Sequence, residues 1–341
     1  MVLYSLIRIY CTHALKFYFR EWEVKGIENI PSGAVIFAPN HQNAFLDAVL
    51  VTCSSNRNPF FLARADVFKK KITGKILHQL RLLPVYRFRD GFSAMKSNQA
   101  AFEKCREILS ANEALVIFPE GNHGSEYRLR PLQKGIARIV CGADATNKIA
   151  VVPVGIHYES HHLFRSRVLV HFGEPVYNVM SDAEPDPVQL LTDRICEKLK
   201  PLILDIPQEN YAEQFSQLLI YRPRFSPISK QLQFEQQLVS NAGKLPEHPF
   251  PSLKKQPLPG RINNILARLL LAVPSFLLHH FVINRLSDPQ FTASVKFAAG
   301  MLMVPLWLLL LALVLLAMTG SYPVMIAFLS AAFFILFYDR K

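Results

Sequence analysis

From Phe297 through Tyr338 the chain carries no charged residue, and this constrains its folding more than any other feature. Ala298–Met318 is one long apolar run, Thr319-Gly320-Ser321-Tyr322-Pro323 is a turn, and Val324–Phe337 is apolar again. A bilayer crossing takes roughly 20 apolar residues, which the first run meets and the second reaches with its flanks. Lys296 precedes the pair, Arg340 and Lys341 follow it, and the turn between has no charge. Basic residues favour the cytoplasmic side. The expectation is a transmembrane helical hairpin over about 298–338, with both ends cytosolic, rather than a buried helical pair in a soluble domain.

The remainder is of another kind. The net charge is +12. Residues 261–341 hold six Lys/Arg and two Asp/Glu, so +8 falls on the other 260 residues. A basic body suits nucleic acid, an anionic membrane surface or an anionic substrate. No recognised nucleic-acid-binding motif or set of stacking aromatics accompanies Lys69, Lys70 and Lys71, so no nucleic-acid partner is expected; anionic membrane lipids and a phosphorylated substrate fit better. The five cysteines are widely spaced with no C-x-x-C pair, as in a reduced, cytosol-facing body. His123, His157, His161 and His162 lack an acidic or thiol ligand at set spacing, so no metal is expected.

Residues 1–20 carry Arg8, Lys16 and Arg20 within an apolar run and lack a small-residue cleavage site. Leu3, Ile7, Tyr10, Ala14 and Phe17 recur at helical spacing, which predicts an amphipathic helix on a membrane interface or on the core. Short apolar runs at Ala34–Ala38, Phe60–Ala63, Leu82–Tyr86, Ala114–Phe118, Ala150–Ile156 and Val168–Phe172 predict strands. Ala44–Thr52, Ser97–Leu109, Ile136–Ala145 and Pro187–Leu204 predict helices. Such alternation gives an α/β fold with a mostly parallel central sheet flanked by helices. Four regions follow: an amphipathic membrane-associating helix (1–22), an α/β domain (23–205), a helical extension with a Pro-rich linker (206–260), and a membrane-associated region (261–341). In the last, Ile262–Leu286 is apolar but interrupted by Arg268, His279, His280 and Arg285, so it reads as interfacial or as a helical pair against the body rather than as a clean span.

Two strand ends deliver ionisable residues. After Ala34–Ala38 comes His41, and Asp47 follows six residues later. A His can take a hydroxyl's proton while a carboxylate holds its tautomer. Six residues on one helix turn through about 600°, so His41 must precede the helix and Asp47 must fold back from its first turns. No G-x-S-x-G elbow is present, and no Ser or Cys adjoins His41, so a substrate hydroxyl is the better nucleophile. After Ala114–Phe118 comes Pro119-Glu120-Gly121. A Gly there lets backbone approach a ligand, and the carboxylate can bind a hydroxyl or orient a basic group. Arg87 and Arg89 close another strand, and Arg128, Arg130 and Lys134 follow the Glu120 loop. Guanidinium groups suit phosphate.

In this order the residues resemble the PlsC-type glycerolipid acyltransferases. His41-(five residues)-Asp47 looks like their first block, and Leu82-Leu83-Pro84-Val85-Tyr86-Arg87 looks like the second, whose Arg belongs to the phosphate site. Phe118-Pro119-Glu120-Gly121 looks like the third, and Val151-Val152-Pro153-Val154-Gly155 like the fourth. The resemblance covers residues 34–156. It implies an acyl-CoA or acyl-carrier-protein donor as co-substrate with no other cofactor, a glycerol-phosphate acceptor, and single displacement without an acyl-enzyme. The usual first block has four spacer residues. Five is similar to a subgroup that includes fungal glycerol-3-phosphate/dihydroxyacetone-phosphate acyltransferases. Where the usual third block continues Thr-Arg-Ser, this chain has Asn122-His123-Gly124, leaving Arg128 or Arg130 to replace the missing Arg. A phospholipid–lysophospholipid transacylase or hydrolase, or an inactive lipid-binding scaffold, are the competing readings.

Overall fold

A computed structural model describes residues 2–68, 70–85, 92–143, 148–177, 186–221, 225–241, 258–286 and 288–337. In chain order the elements are α1 (Val2–Tyr18), β1 (Glu21–Lys25), β2 (Val35–Pro39), α2 (Phe45–Ser54), β3 (Phe60–Arg64), α3 (Lys71–Gln79), β4 (Leu82–Val85), α4 (Phe92–Ser110), β5 (Ala114–Val116) and α5 (Gly135–Cys141). There follow β6 (Ala150–Tyr158), β7 (Arg167–Phe172), β8 (Val176–Tyr177), α6 (Pro187–Leu199), α7 (Tyr211–Tyr221), α8 (Ile228–Ser240), α9 (Leu258–Leu270), α10 (Ala272–Phe281), α11 (Thr292–Thr319) and α12 (Tyr322–Phe337). The helix expected over Pro187–Leu204 stops at Leu199, and Lys200–Leu202 tighten into a 3-10 turn that contains Pro201. The linker expected over 243–260 falls mostly outside the described residues.

The strands form one sheet in the order β1-β7-β6-β2-β5-β3-β4, with β8 also on β6. All pairings are parallel except β6 with β7 and β6 with β8. The fold is therefore α/β with a mostly parallel sheet. Successive side chains of a strand face opposite ways, and the interior strands are apolar on both sides, as a sheet covered twice must be. Val35 and Phe37 of β2 pack with Leu15 and Tyr18 of α1, Leu46 and Leu50 of α2, and Ala293 and Phe297 of α11. Ile36 and Ala38 face the other way, onto Cys105 and Leu109 of α4, Ile136 and Val140 of α5, and Ile195 of α6. The result is three layers. Each fully buried Leu, Ile or Phe in them contributes about 1.5–3 kcal/mol.

The packing face of α1 differs from the stripe that periodicity suggests. Tyr4, Cys11, Leu15 and Tyr18 are buried, whereas Leu3 and Tyr10 are exposed along with Leu6 and Ile9. The helix is apolar on nearly every side, so spacing alone does not select the docked face. The core takes one side and leaves a second apolar strip open.

At the C-terminus, among the described residues, Pro289–Thr319 is long and apolar enough to cross a membrane, and little of its most apolar stretch is buried. Gly320 ends it in the left-handed conformation (φ +61°) that suits glycine. α12 packs against α11 and α9 and is short for a full crossing. Ile262–Leu270 and Ala272–Arg285 are apolar helices meeting at a 56° bend, with the length and composition of a broken span or a re-entrant loop.

Candidate active site

Three strand ends converge. β2, β5 and β6 run parallel, so the residues after Pro39, the residues after Val116, and Tyr158 lie at the same carboxyl edge of the sheet, where open α/β sheets bind ligands. Asn40 ties the chain leaving β2 to β6. Its Nδ2 donates to the Ile156 carbonyl (3.0 Å), and its Oδ1 accepts from the Ile156 N–H (2.7 Å). His41 thus starts from a fixed point.

Asp47 lies in the first turn of α2 and is fully buried. Its Oδ2 is 2.9 Å from His41 Nδ1 and accepts the backbone N–H groups of Gln42 and Asn43, each at 2.8 Å. Its Oδ1 accepts the Tyr158 hydroxyl at 2.5 Å. Burial, and then the Asp47 charge, hold that phenol far above its ordinary pKa, so it remains a donor. With Nδ1 facing a carboxylate, the ring proton belongs there and Nε2 is left as the proton acceptor. The His41 side chain keeps 14% of its surface open. Its ring stacks on Phe118 (centroids 3.7 Å apart, 18°) and meets His123 edge-on at 5.5 Å. Burial and the neighbouring His41 lower the pKa of His123.

The turn between His41 and Asp47 is strained. Leu46 N–H closes onto the Asn43 carbonyl at 3.0 Å, and Ala44 takes φ +47°, ψ −128°. That is the first central position of a type II′ turn, where glycine is usual. A non-glycine residue held there costs of order 1–3 kcal/mol. This turn brings Asp47 back onto His41 across the five-residue spacer.

Glu120 supports the same loop from β5. Its Oε1 accepts the His41 backbone N–H (2.7 Å), and its Oε2 accepts Arg130 Nε (2.6 Å). Burial raises its carboxyl pKa, with Arg130 and the backbone donors pulling it back. Arg130 also donates to the His41 carbonyl (2.8 Å) and to Asn122. Gly121 sits at φ +74° in the turn below. A Cβ there would stand 3.2 Å from Gln133.

The structure therefore brings His41, Asp47, Glu120, Gly121 and Arg130 together. Arg128 pairs instead with Glu126 (3.0 Å) and Gln208, and Lys134 pairs with Asp186 (3.5 Å). Arg87 and Arg89 lie outside the described residues. Sequence reasoning missed Tyr158 and the turn strain at Ala44. Alternation from Val154 and Ile156 places Tyr158 on the His41 side of β6, but only pairing shows that it reaches Asp47. Among the described residues, no three His, Cys, Asp or Glu side chains cluster to hold a metal.

Residues 21–157 match the family described as Acyltransferase. Glycerol-3-phosphate O-acyltransferase 2 of Saccharomyces cerevisiae is 38% identical over 82 residues, which are 23% of this chain and 11% of the yeast protein. The chloroplastic 1-acyl-sn-glycerol-3-phosphate acyltransferase BAT2 of Brassica napus is 25% identical over 138 residues, 40% of this chain and 37% of that protein. The crystal structure of the 1-acyl-sn-glycerophosphate (LPA) acyltransferase PlsC from Thermotoga maritima aligns with a TM-score of 0.44 and 20% identity, over 58% of this chain and 79% of that one. The chain thus matches well under half the length of both curated relatives.

Proposed function

We propose, from the match of residues 21–157 to the family described as Acyltransferase, that the protein is a membrane-bound O-acyltransferase. It moves a fatty acyl group from a thioester, acyl-CoA or acyl-carrier protein, to a hydroxyl of glycerol 3-phosphate, with lysophosphatidate and dihydroxyacetone phosphate as related acceptors. The observation that carries this reading is the His41 Nδ1–Asp47 contact at 2.9 Å, with Nε2 left for a substrate proton.

In this mechanism His41 Nε2 takes the acceptor's hydroxyl proton as its oxygen attacks the thioester carbonyl. Asp47 stabilises the imidazolium. The tetrahedral intermediate collapses with cleavage of the C–S bond, and the departing thiolate receives the proton from His41. Tyr158 and two backbone N–H groups hold Asp47. Glu120 and Arg130, bonded to both backbone polar groups of His41, position the base. Gly121 leaves room beside the acceptor. Arg87, Arg128 and Lys134 are assigned to the acceptor phosphate; Arg130 already serves protein acceptors and joins them only by exchanging one. The five-residue spacer favours glycerol 3-phosphate, the first acylation. We place the catalytic domain (23–205) on the cytosolic side, held by α1 and by a C-terminal hairpin against anionic lipids.

The test is the full chain in detergent micelles with labelled acyl-CoA and each of the three acceptors, the product being identified by mass. Acylated glycerol phosphate that disappears in His41→Ala is expected. No product from any acceptor, or full turnover in His41→Ala, overturns the reading.

A further inference from the structure

The apolar helix α11 does not begin at the edge of the catalytic body but inside it. Ala293 and Phe297 are buried in the core shared by α1, α2 and the sheet. Phe291, just before the helix, meets the His123 ring at 4.6 Å, and His123 in turn faces His41. Between them lies Ser294, 1% exposed. Its hydroxyl donates to the Asn43 carbonyl at 2.5 Å and accepts the Leu46 N–H at 3.2 Å. Those two groups flank Ala44, the strained residue of the turn between His41 and Asp47. Apart from the turn's own Leu46–Asn43 bond, Ser294 joins its two ends, and it does so from about 250 residues away in sequence.

We propose that Ser294 is a positioning residue. The membrane helix supplies a clasp that holds the turn in the conformation that aims Asp47 at His41 Nδ1. A turn with a non-glycine residue at φ +47° persists only where its surroundings over-determine it, and Ser294 supplies that determination at both of the turn's ends. The membrane segment is then part of the catalytic scaffold as well as an anchor. Displacing α11 along its axis acts on the base through this hydroxyl. The proposal rests on the reading of His41 and Asp47 as the base pair of acyl transfer.

The experiment compares wild type, Ser294→Ala and Ser294→Thr as full chains in micelles. It measures kcat, both KM values, and the Nδ1–H resonance of His41 in 15N-histidine-labelled protein, assigned by its loss in His41→Gln. A small misplacement of a catalytic group costs up to about a hundredfold in rate. Ser294→Ala is therefore expected to lower kcat roughly ten- to hundredfold with both KM values little changed, and to move or broaden the His41 resonance. Ser294→Thr, which keeps the hydroxyl, restores both. Wild-type kcat in Ser294→Ala, or a fall in kcat with the His41 resonance unmoved, overturns the clasp. If wild type turns over no acceptor, the acyl-transfer reading fails, and the resonance alone then decides on Ser294: a shift in Ser294→Ala supports the clasp and an unmoved signal removes it.

Discussion

Two His–carboxylate pairs stand on opposite faces of one strand. On one face Tyr158 reaches Asp47, the partner of His41. On the other, the preceding residue, His157, places Nε2 3.2 Å from Glu235 of α8. Both carboxylates are sealed from solvent. Around Glu235 the neighbours are fasteners: Gln231 donates to it at 2.7 Å and in turn accepts the Phe225 N–H, while Arg167 bridges toward Glu159 and Glu21. That side docks α8 on the sheet edge, where Ser229 also bonds Glu23. His157 is 1% exposed and lies in regular strand, whereas His41 is 14% exposed and follows a strand end. A His–carboxylate contact alone therefore does not make a base. What sets the His41 pair apart is a partly open ring, a strained turn and a backbone held from two sides.

The sharpest break of that comparison is removal of each histidine in turn. His41→Ala should lower kcat/KM by about 10²–10⁴, the usual worth of a general base, and move the thermal midpoint little. His157→Ala removes the imidazole beside the buried Glu235, which keeps its hydrogen bond from Gln231. It should cost about 1–3 kcal/mol of stability, as for a buried polar group that loses one partner, and leave kcat per folded molecule near wild type. Denaturant melts beside steady-state rates separate the two. Equal rate losses would mean that the second pair is no mere fastener.

Tyr158→Phe tests the strand that both pairs share. It removes the donor to Asp47 Oδ1 while leaving the ring packed. A hydrogen bond to a charged group contributes about 1.5–3 kcal/mol. The variant should lose stability within that range and about a factor of ten in kcat. Undiminished kcat would show that the backbone N–H groups alone hold Asp47.

Acidity acts more weakly. Burial holds His123, His162 and His171 below their ordinary value of 6.5. The unfolded chain then binds more protons than the folded one, so stability is full above that value and declines as pH falls through it. Glu120 runs the other way. Its carboxyl lies above the ordinary 4.5, so its contribution falls as pH rises from 4.5 through its folded value. Thermal midpoints from pH 8 down to 5.5 should fall, and His171→Asn should flatten the slope. His123, edge-on to His41, links this loss to the open pair.

What was legible in the sequence was local. Apolar runs ending in His41 and Glu120 announced strand ends, and the six-residue step to Asp47 required a fold-back outside a continuous helix. β1 escaped because Glu21-Trp22-Glu23-Val24-Lys25 reads as polar surface; it is an edge strand whose carboxylates are used by α8 and Arg167. Tyr158 and Ser294 escaped because their partners lie 111 and about 250 residues away, and no period or motif encodes such a meeting. Arg130 was visible as a cation near Glu120. That it bonds the His41 carbonyl and not solvent is a consequence of tertiary packing.

The smallest effect probes the strain itself, which separates the open pair from the sealed one. Ala44→Gly removes the penalty of a side chain at φ +47°, of order 1–3 kcal/mol. Against this stand about 0.8 kcal/mol for the lost buried methyl and 0.5–1 kcal/mol for the greater freedom of glycine in the unfolded chain. The central values leave a gain of about 0.5 kcal/mol, read as a slightly higher midpoint in urea. The same change relieves the turn of its dependence on Ser294, so Ser294→Ala should cost less kcat in the Ala44→Gly background than alone. If the two losses simply multiply, the serine acts on the base by a route other than the turn.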